Sequence, residues 1–148
     1  MTTDLEALGQ LVKRAQYRNH RTMDTALRAV GVSLVQWDAL RAVDRMPDAS
    51  GHDLAVATFQ SDQAFGTLAG RLVDRGLIER RAGRGRRIAH VLTEAGRAAL
   101  DEGHAIARSV LADLFAPLAE PQRRALTDAL RALTADVDAG SEPPEGTP

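Results

Sequence analysis

The chain has 148 residues, 44% hydrophobic and only 3% aromatic, so one domain is expected, with a core filled by Leu, Ala and Val. It has no cysteine, which excludes disulfides, thiolate metal sites and thiol redox chemistry. The net charge of −1 hides a bipolar molecule: residues 61–97 hold eight arginines against Asp62, Asp74, Glu79 and Glu94, and the rest of the chain is acidic, so one basic face can meet a polyanion.

Residues 4–30 predict a helix. Leu5, Leu8, Leu11, Val12, Ala15, Met23, Ala26, Leu27 and Val30 recur at mostly helical spacing, across a polar gap from Gln16 to Thr22. Gly31 ends it. Ser33 stands where an N-cap belongs, Leu34, Trp37, Leu40, Ala42 and Val43 carry the next helix, and Met46-Pro47-Asp48 stops it. Asp53 is expected to cap a short helix from Leu54 to Thr58. Ser61 is expected to cap the next, with Phe65, Leu68, Leu72 and Val73 on its inner face and Arg75-Gly76 at its end.

Leu77-Ile78-Glu79-Arg80 and Ile88-Ala89-His90-Val91-Leu92 read as two strands around a Gly83-Arg84-Gly85 turn. Thr93-Glu94 opens a long helix whose apolar positions are Ala99, Ile106, Val110, Leu111, Leu114 and Phe115. Glu120-Pro121 opens a last one, with proline at its first position and a stripe of Leu126, Leu130, Leu133 and Val137. The tail from Ala139 lacks core residues and is expected to be disordered. No apolar run approaches the roughly 18 residues of a membrane-crossing helix, so no membrane partner is expected. Met1-Thr2-Thr3-Asp4 lacks a signal peptide's basic and apolar regions, and a cytoplasmic location is expected.

The fold class is therefore mainly α with a small β-hairpin (α+β). Short helix, turn, second helix and basic hairpin make a winged helix-turn-helix core. The flanking helices carry apolar stripes too long for that core to cover, and are expected to pair with a second subunit. Residues 1–138 are taken as one domain, with the core at about 33–92, dimerisation helices at about 4–30 and 93–138, and the tail at 139–148.

Five arginines, Arg80, Arg81, Arg84, Arg86 and Arg87, crowd the hairpin with no acid among them. Guanidinium groups donate several hydrogen bonds to phosphate and keep their charge. A merely solvated loop usually mixes signs, so contact with double-stranded DNA is the leading reading. Gln63 is suited to read adenine, against the plainer role of a surface glutamine. Ser61 fits an N-cap better than a base reader, and Trp37 fits core better than a ligand platform. His20, His52, His90 and His104 are scattered without a carboxylate cluster, so no metal is expected. No Gly-rich phosphate loop and no nucleophile–base pair is present, so neither cofactor nor catalysis is expected.

Leu72-Val73-Asp74-Arg75-Gly76-Leu77-Ile78-Glu79-Arg80, then Leu92-Thr93-Glu94-Ala95-Gly96-Arg97, with Leu54-Ala55 and Ser61 before them, resemble the MarR family of winged helix-turn-helix regulators. The resemblance spans most of residues 5–137. It implies an obligate homodimer whose recognition helices enter successive major grooves of a pseudo-palindromic operator. In this chain the recognition helix would run from about Ser61 to Arg75, presenting Ser61, Asp62, Gln63, Ala64, Gly66 and Thr67, with Arg71 further along. Arg84, Arg86 and Arg87 would be wing residues. Most such proteins are repressors, often released by a small aromatic or phenolic acid. By location, Tyr17, His20, Met23 and Trp37 are the candidates for its pocket.

The family usually has glycine and then a small apolar residue in the helix-turn-helix turn, where this chain has Phe59 and Gln60. Phenylalanine is costly where φ is positive, so either the turn is rebuilt with Phe59 turned into the core, or its geometry differs. Arg84 occupies the place of a wing aspartate, so the family's ion pair at the tip is not expected. An alternative function, a protein–protein adaptor that has lost operator recognition, follows from Phe59, Asp62, Gly66 and Gly70.

Overall fold

The computed structural model describes residues 1–85 and 87–139. Its elements are α1 (Leu5–Leu27), a 3-10 turn (Arg28–Val30), α2 (Leu34–Arg45), α3 (Gly51–Ala57), α4 (Asp62–Asp74), β1 (Ile78–Ala82), β2 (Ile88–Leu92), α5 (Glu94–Phe115) and α6 (Glu120–Ala139). The mainly α fold with one antiparallel hairpin is the expected one. The polar stretch from Gln16 does not interrupt α1, because those side chains face solvent and need no partner.

Capping side chains fix the helix starts. Asp4 accepts from Ala7 N at 3.1 Å, Ser61 from Ala64 N at 3.1 Å and Thr93 from Gly96 N at 3.0 Å. Ser33 and Gln36 form a reciprocal capping box at α2. At α3 the cap is Ser50, not Asp53 as the sequence suggested. Asp53 is the third helical residue and its carboxylate accepts from Ser50 N at 3.0 Å. Both ends of one box are good capping residues, and only the backbone tells which leads. At α6, Ala119 N donates to Gln122 Oε1 at 2.8 Å, and Pro121 follows Glu120 rather than opening the helix.

The hairpin pairs Ile78 with Leu92 and Ala82 with Ile88. Its first strand starts one residue later than expected and runs two further, because Leu77 is spent on the turn out of α4, where Leu77 N bonds Leu72 O at 2.9 Å. Gly76, at φ +70, makes that exit. α6 continues through Ala139, one residue into the segment expected as tail. Residues 140–148, the remainder of that tail, lie outside the described residues.

Leu27, Leu40, Leu54, Phe65, Leu72, Ile78 and Leu100 are fully buried and draw the end of α1, α2, α3, α4, β1 and α5 onto one core. α5 crosses closely because of two glycines. A Cβ on Gly96 would collide with Leu77 O, and one on Gly103 with the Trp37 ring. Trp37 is core, 4% exposed, and its Nε1 donates to Leu100 O at 3.2 Å. By contrast Leu5, Leu8, Leu11 and Val12 of α1, Phe115 of α5, and Leu126, Leu130, Leu133 and Val137 of α6 are exposed. Among the described residues no helix is long and apolar enough to cross a membrane.

Candidate nucleic-acid interface

α3, residues 58–61 and α4 make a helix-turn-helix. α4 buries Phe65, Leu68, Ala69 and Leu72 and leaves its other face to solvent. That face carries Asp62, Gln63, Ala64, Gly66, Thr67 and Arg71, each exposed, with Ser61 at its head. The structure thus brings together every residue expected of the recognition helix. Ser61 is the N-cap, and Thr67 Oγ1 bonds Gln63 O at 3.1 Å. Nothing lies within 4 Å of where a Gly66 Cβ would sit, so this glycine opens the face rather than serving internal packing. Val35 of α2, Gln63, Thr67 and Arg71 line an open groove of about 480 Å³ along this flank.

The turn corrects the expectation for Phe59. The residue takes φ +56, and its side chain is 77% exposed. The turn is neither rebuilt nor closed over an inward phenyl ring. Its hydrogen bonds explain why. Phe59 N bonds Val56 O at 3.1 Å and Gln60 N bonds Ala55 O at 2.9 Å, while Thr58 Oγ1 donates to Leu54 O at 2.7 Å. These satisfy the last carbonyls of α3 as a left-handed helix stop does. Holding a non-glycine residue there costs about 1–3 kcal/mol.

Asp62 is bonded in a way the sequence did not reveal. Its Oδ1 lies 2.8 Å from Nδ1 of His52, near the start of α3. The hydrogen bond to Asp62, and then its charge, raise the His52 pKa above its ordinary value. Ten residues separate the pair, and no sequence periodicity joins them.

In the wing, Gly83 N donates to Arg87 O at 2.8 Å and Gly85 takes φ +64, giving a tight tip with Arg84 and Arg87 exposed. Arg86, the third candidate there, lies outside the described residues. The hairpin arginines do not act alike. Arg81 pairs with Glu79 at 3.0 Å, and Arg80 leans back toward Gly70 of α4. Arg75 fixes the end of α4: Nη1 donates to Gln36 Oε1 at 3.0 Å, and Nη2 to Gly31 O.

On the far side of α2, a cavity of about 460 Å³ is lined by His20, Met23, Trp37, Arg41, His104 and Arg108, among others. Three of the four expected pocket residues meet there. Tyr17 does not. It sits on an outward stripe of α1, 60% exposed, with its hydroxyl accepting from Arg21 Nη1 at 3.1 Å. His104 meets the Trp37 ring edge-on at 5.2 Å, and the Arg41 guanidinium lies 4.8 Å from its centroid. Burial raises the Asp38 pKa, partly offset by the charge of Arg41. An aromatic floor under a mostly cationic rim suits a flat anion. Among the described residues no three His, Cys, Asp or Glu gather as a metal site.

Known proteins share this arrangement. The MarR family model matches residues 30–88. The HTH-type transcriptional repressor Rv2887 of Mycobacterium tuberculosis is 30% identical over 131 residues, 87% of this chain and 94% of its own length. The crystal structure of the M. tuberculosis MarR family protein Rv2887 with p-aminosalicylic acid has a TM-score of 0.71 at 30% identity, covering 85% of this chain and 97% of that one. The structure of that protein with DNA gives 0.71 at 28% identity, over 85% and 96%.

Proposed function

The chain belongs to the MarR family, and on that premise we propose that it is a ligand-responsive repressor that binds a pseudo-palindromic operator as a homodimer. It is a transcriptional regulator and not an enzyme. The observation that carries the reading is the exposed outer face of α4 beside an arginine-tipped wing. Arg84, Arg86 and Arg87 supply phosphate contacts and much of the affinity. Ser61, Asp62, Gln63, Ala64, Gly66, Thr67 and Arg71 form the surface that meets the groove and selects sequence. Residues 33–92 act as the DNA-binding unit, and residues 4–30 and 93–138 as the dimerising one. The protein works in the cytoplasm.

The effector is a small aromatic acid, held over Trp37 between α1, α2 and α5 with Arg41, Arg108, His20 or His104 as counter-charge. The relative's complex with p-aminosalicylic acid supports this class. Binding there favours a spacing of the two recognition helices that does not fit DNA. A coupling of about 1–3 kcal/mol weakens operator binding about 5- to 150-fold.

The test is a binding titration on the chain's own upstream DNA at several salt concentrations. The wild type is expected to show log affinity falling steeply with log salt. Arg84→Ala with Arg87→Ala is expected to flatten that slope by about 0.9 for each phosphate that is no longer neutralised. One observation, the exposed and strained Phe59, favours a second reading, a protein–protein adaptor with no operator. Affinity no better than for random duplex supports the adaptor.

A further inference from the structure

A carboxylate on a surface that faces phosphates is unfavourable unless it is neutralised or used. Asp62 is the first residue of α4, its side chain is 69% exposed, and its Oδ1 is taken by His52 at 2.8 Å. Oδ2 makes no hydrogen bond among the described residues. His52 is equally exposed, and its second ring nitrogen, Nε2, makes no hydrogen bond among the described residues. The bond is therefore made on the outside of the helix-turn-helix, where it does nothing to fill the core.

We infer that Asp62 is a cytosine-reading residue and that His52 is its positioning residue, holding the carboxylate in one rotamer and cancelling its charge against the phosphates. This rests on the DNA-binding reading above. A carboxylate oxygen in the major groove accepts from the N4 amino group of cytosine, whereas the only other base donor there, N6 of adenine, has the N7 acceptor beside it to repel the charge, so fixing one oxygen on His52 aims the other at cytosine. The imidazolium also leaves Nε2–H free to donate to a phosphate oxygen. The charged groups around His52 are Asp53 on its own helix, Asp62 on α4, and Arg87 of the wing, whose charge acts on Asp53. Asp53 is already bonded to Ser50 N, which leaves Asp62 as the partner of the ring. Protonated His52 favours DNA twice, so affinity rises as pH falls through its titration.

The experiment is selection of the full chain on a pool of random duplexes at pH 6 and pH 8, with Asp62→Ala, His52→Ala and His52→Gln beside the wild type. The wild type is expected to enrich half-sites with one fixed cytosine. Asp62→Ala is expected to lose preference at that position alone, binding the wild-type site about 5- to 150-fold less tightly and random duplex at least as well as before. His52→Ala loses both the cytosine and the pH dependence. His52→Gln, a neutral donor of similar reach, restores the cytosine but not the pH dependence. The proposal is overturned if Asp62→Ala selects the same base everywhere, or if His52→Ala keeps the motif and the pH profile. A wild type that enriches no sequence at either pH defeats the DNA-binding reading itself, and is told apart because the failure appears before any substitution.

Discussion

Phe59 holds a left-handed backbone at φ +56 with its ring in solvent. The strain is offset by turn hydrogen bonds, not by burial, so removing the ring sacrifices little. Phe59→Gly is expected to stabilise the chain by about 1 kcal/mol, the strain released less the extra entropy of an unfolded glycine, as read from the midpoint of urea unfolding. His90 is a second test at this scale. It is 7% exposed, stands edge-on to Phe65 at 6.1 Å, and its Nδ1 has no partner among the described residues. Burial, and then the charge of Arg80, lower its pKa. The unfolded chain therefore takes up a proton near pH 6.5 that the folded chain refuses. That part of the stability is intact above pH 6.5 and is lost as pH falls below it. Unfolding midpoints at pH 7.5 and 5.5 should drop less for His90→Leu than for the wild type. Single residues were legible where their role is local. Ser33, Ser61 and Thr93 cap helices as their spacing says. The His52–Asp62 bond and the exposure of Phe59 were not, because each depends on how α3 crosses α4.

Elements are legible where periodicity is long and obscure where chain direction changes. α2, α4 and α5 follow their apolar stripes. β1 is displaced because Leu77 looks like a strand residue by type but closes the exit from α4 by backbone bonding. The packing of α5 on α2 is invisible in sequence, since Gly103 scores there only as a weak helix former. In the fold it is the point of closest approach to Trp37. Gly103→Val is expected to force the two helices apart and cost about 1–3 kcal/mol as overpacking, measured by urea unfolding. A variant as stable as the wild type would show that the two helices yield freely there.

For the molecule as a whole, the sequence showed both a charge division and a hydrophobic surplus. The basic residues gather at the hairpin and the end of α4, as the count over 61–97 implied. Leu126 and Leu130 stand exposed along a groove with Leu111 and Phe115, in line with helices meant for a second subunit. Leu130→Asp is expected to split or unfold the proposed homodimer, because a charge buried in that interface would have no partner. Sedimentation at several concentrations checks this, and an unchanged dimer would move the interface elsewhere. The cavity above Trp37 is the least legible part. Tyr17 qualifies by its location in the chain, but its turn of α1 points it outward, while Arg41, His104 and Arg108 come from helices distant in sequence.

That cavity carries its own gauge. Trp37 is the only tryptophan in the chain, and it lines the cavity beside a histidine edge and an arginine. Its ultraviolet emission therefore comes from one known spot, with no background from other indoles. Arrival of a flat, absorbing acid should quench that light in proportion to occupancy, so candidate effectors can be ranked on the unlabelled protein, without DNA in the cuvette.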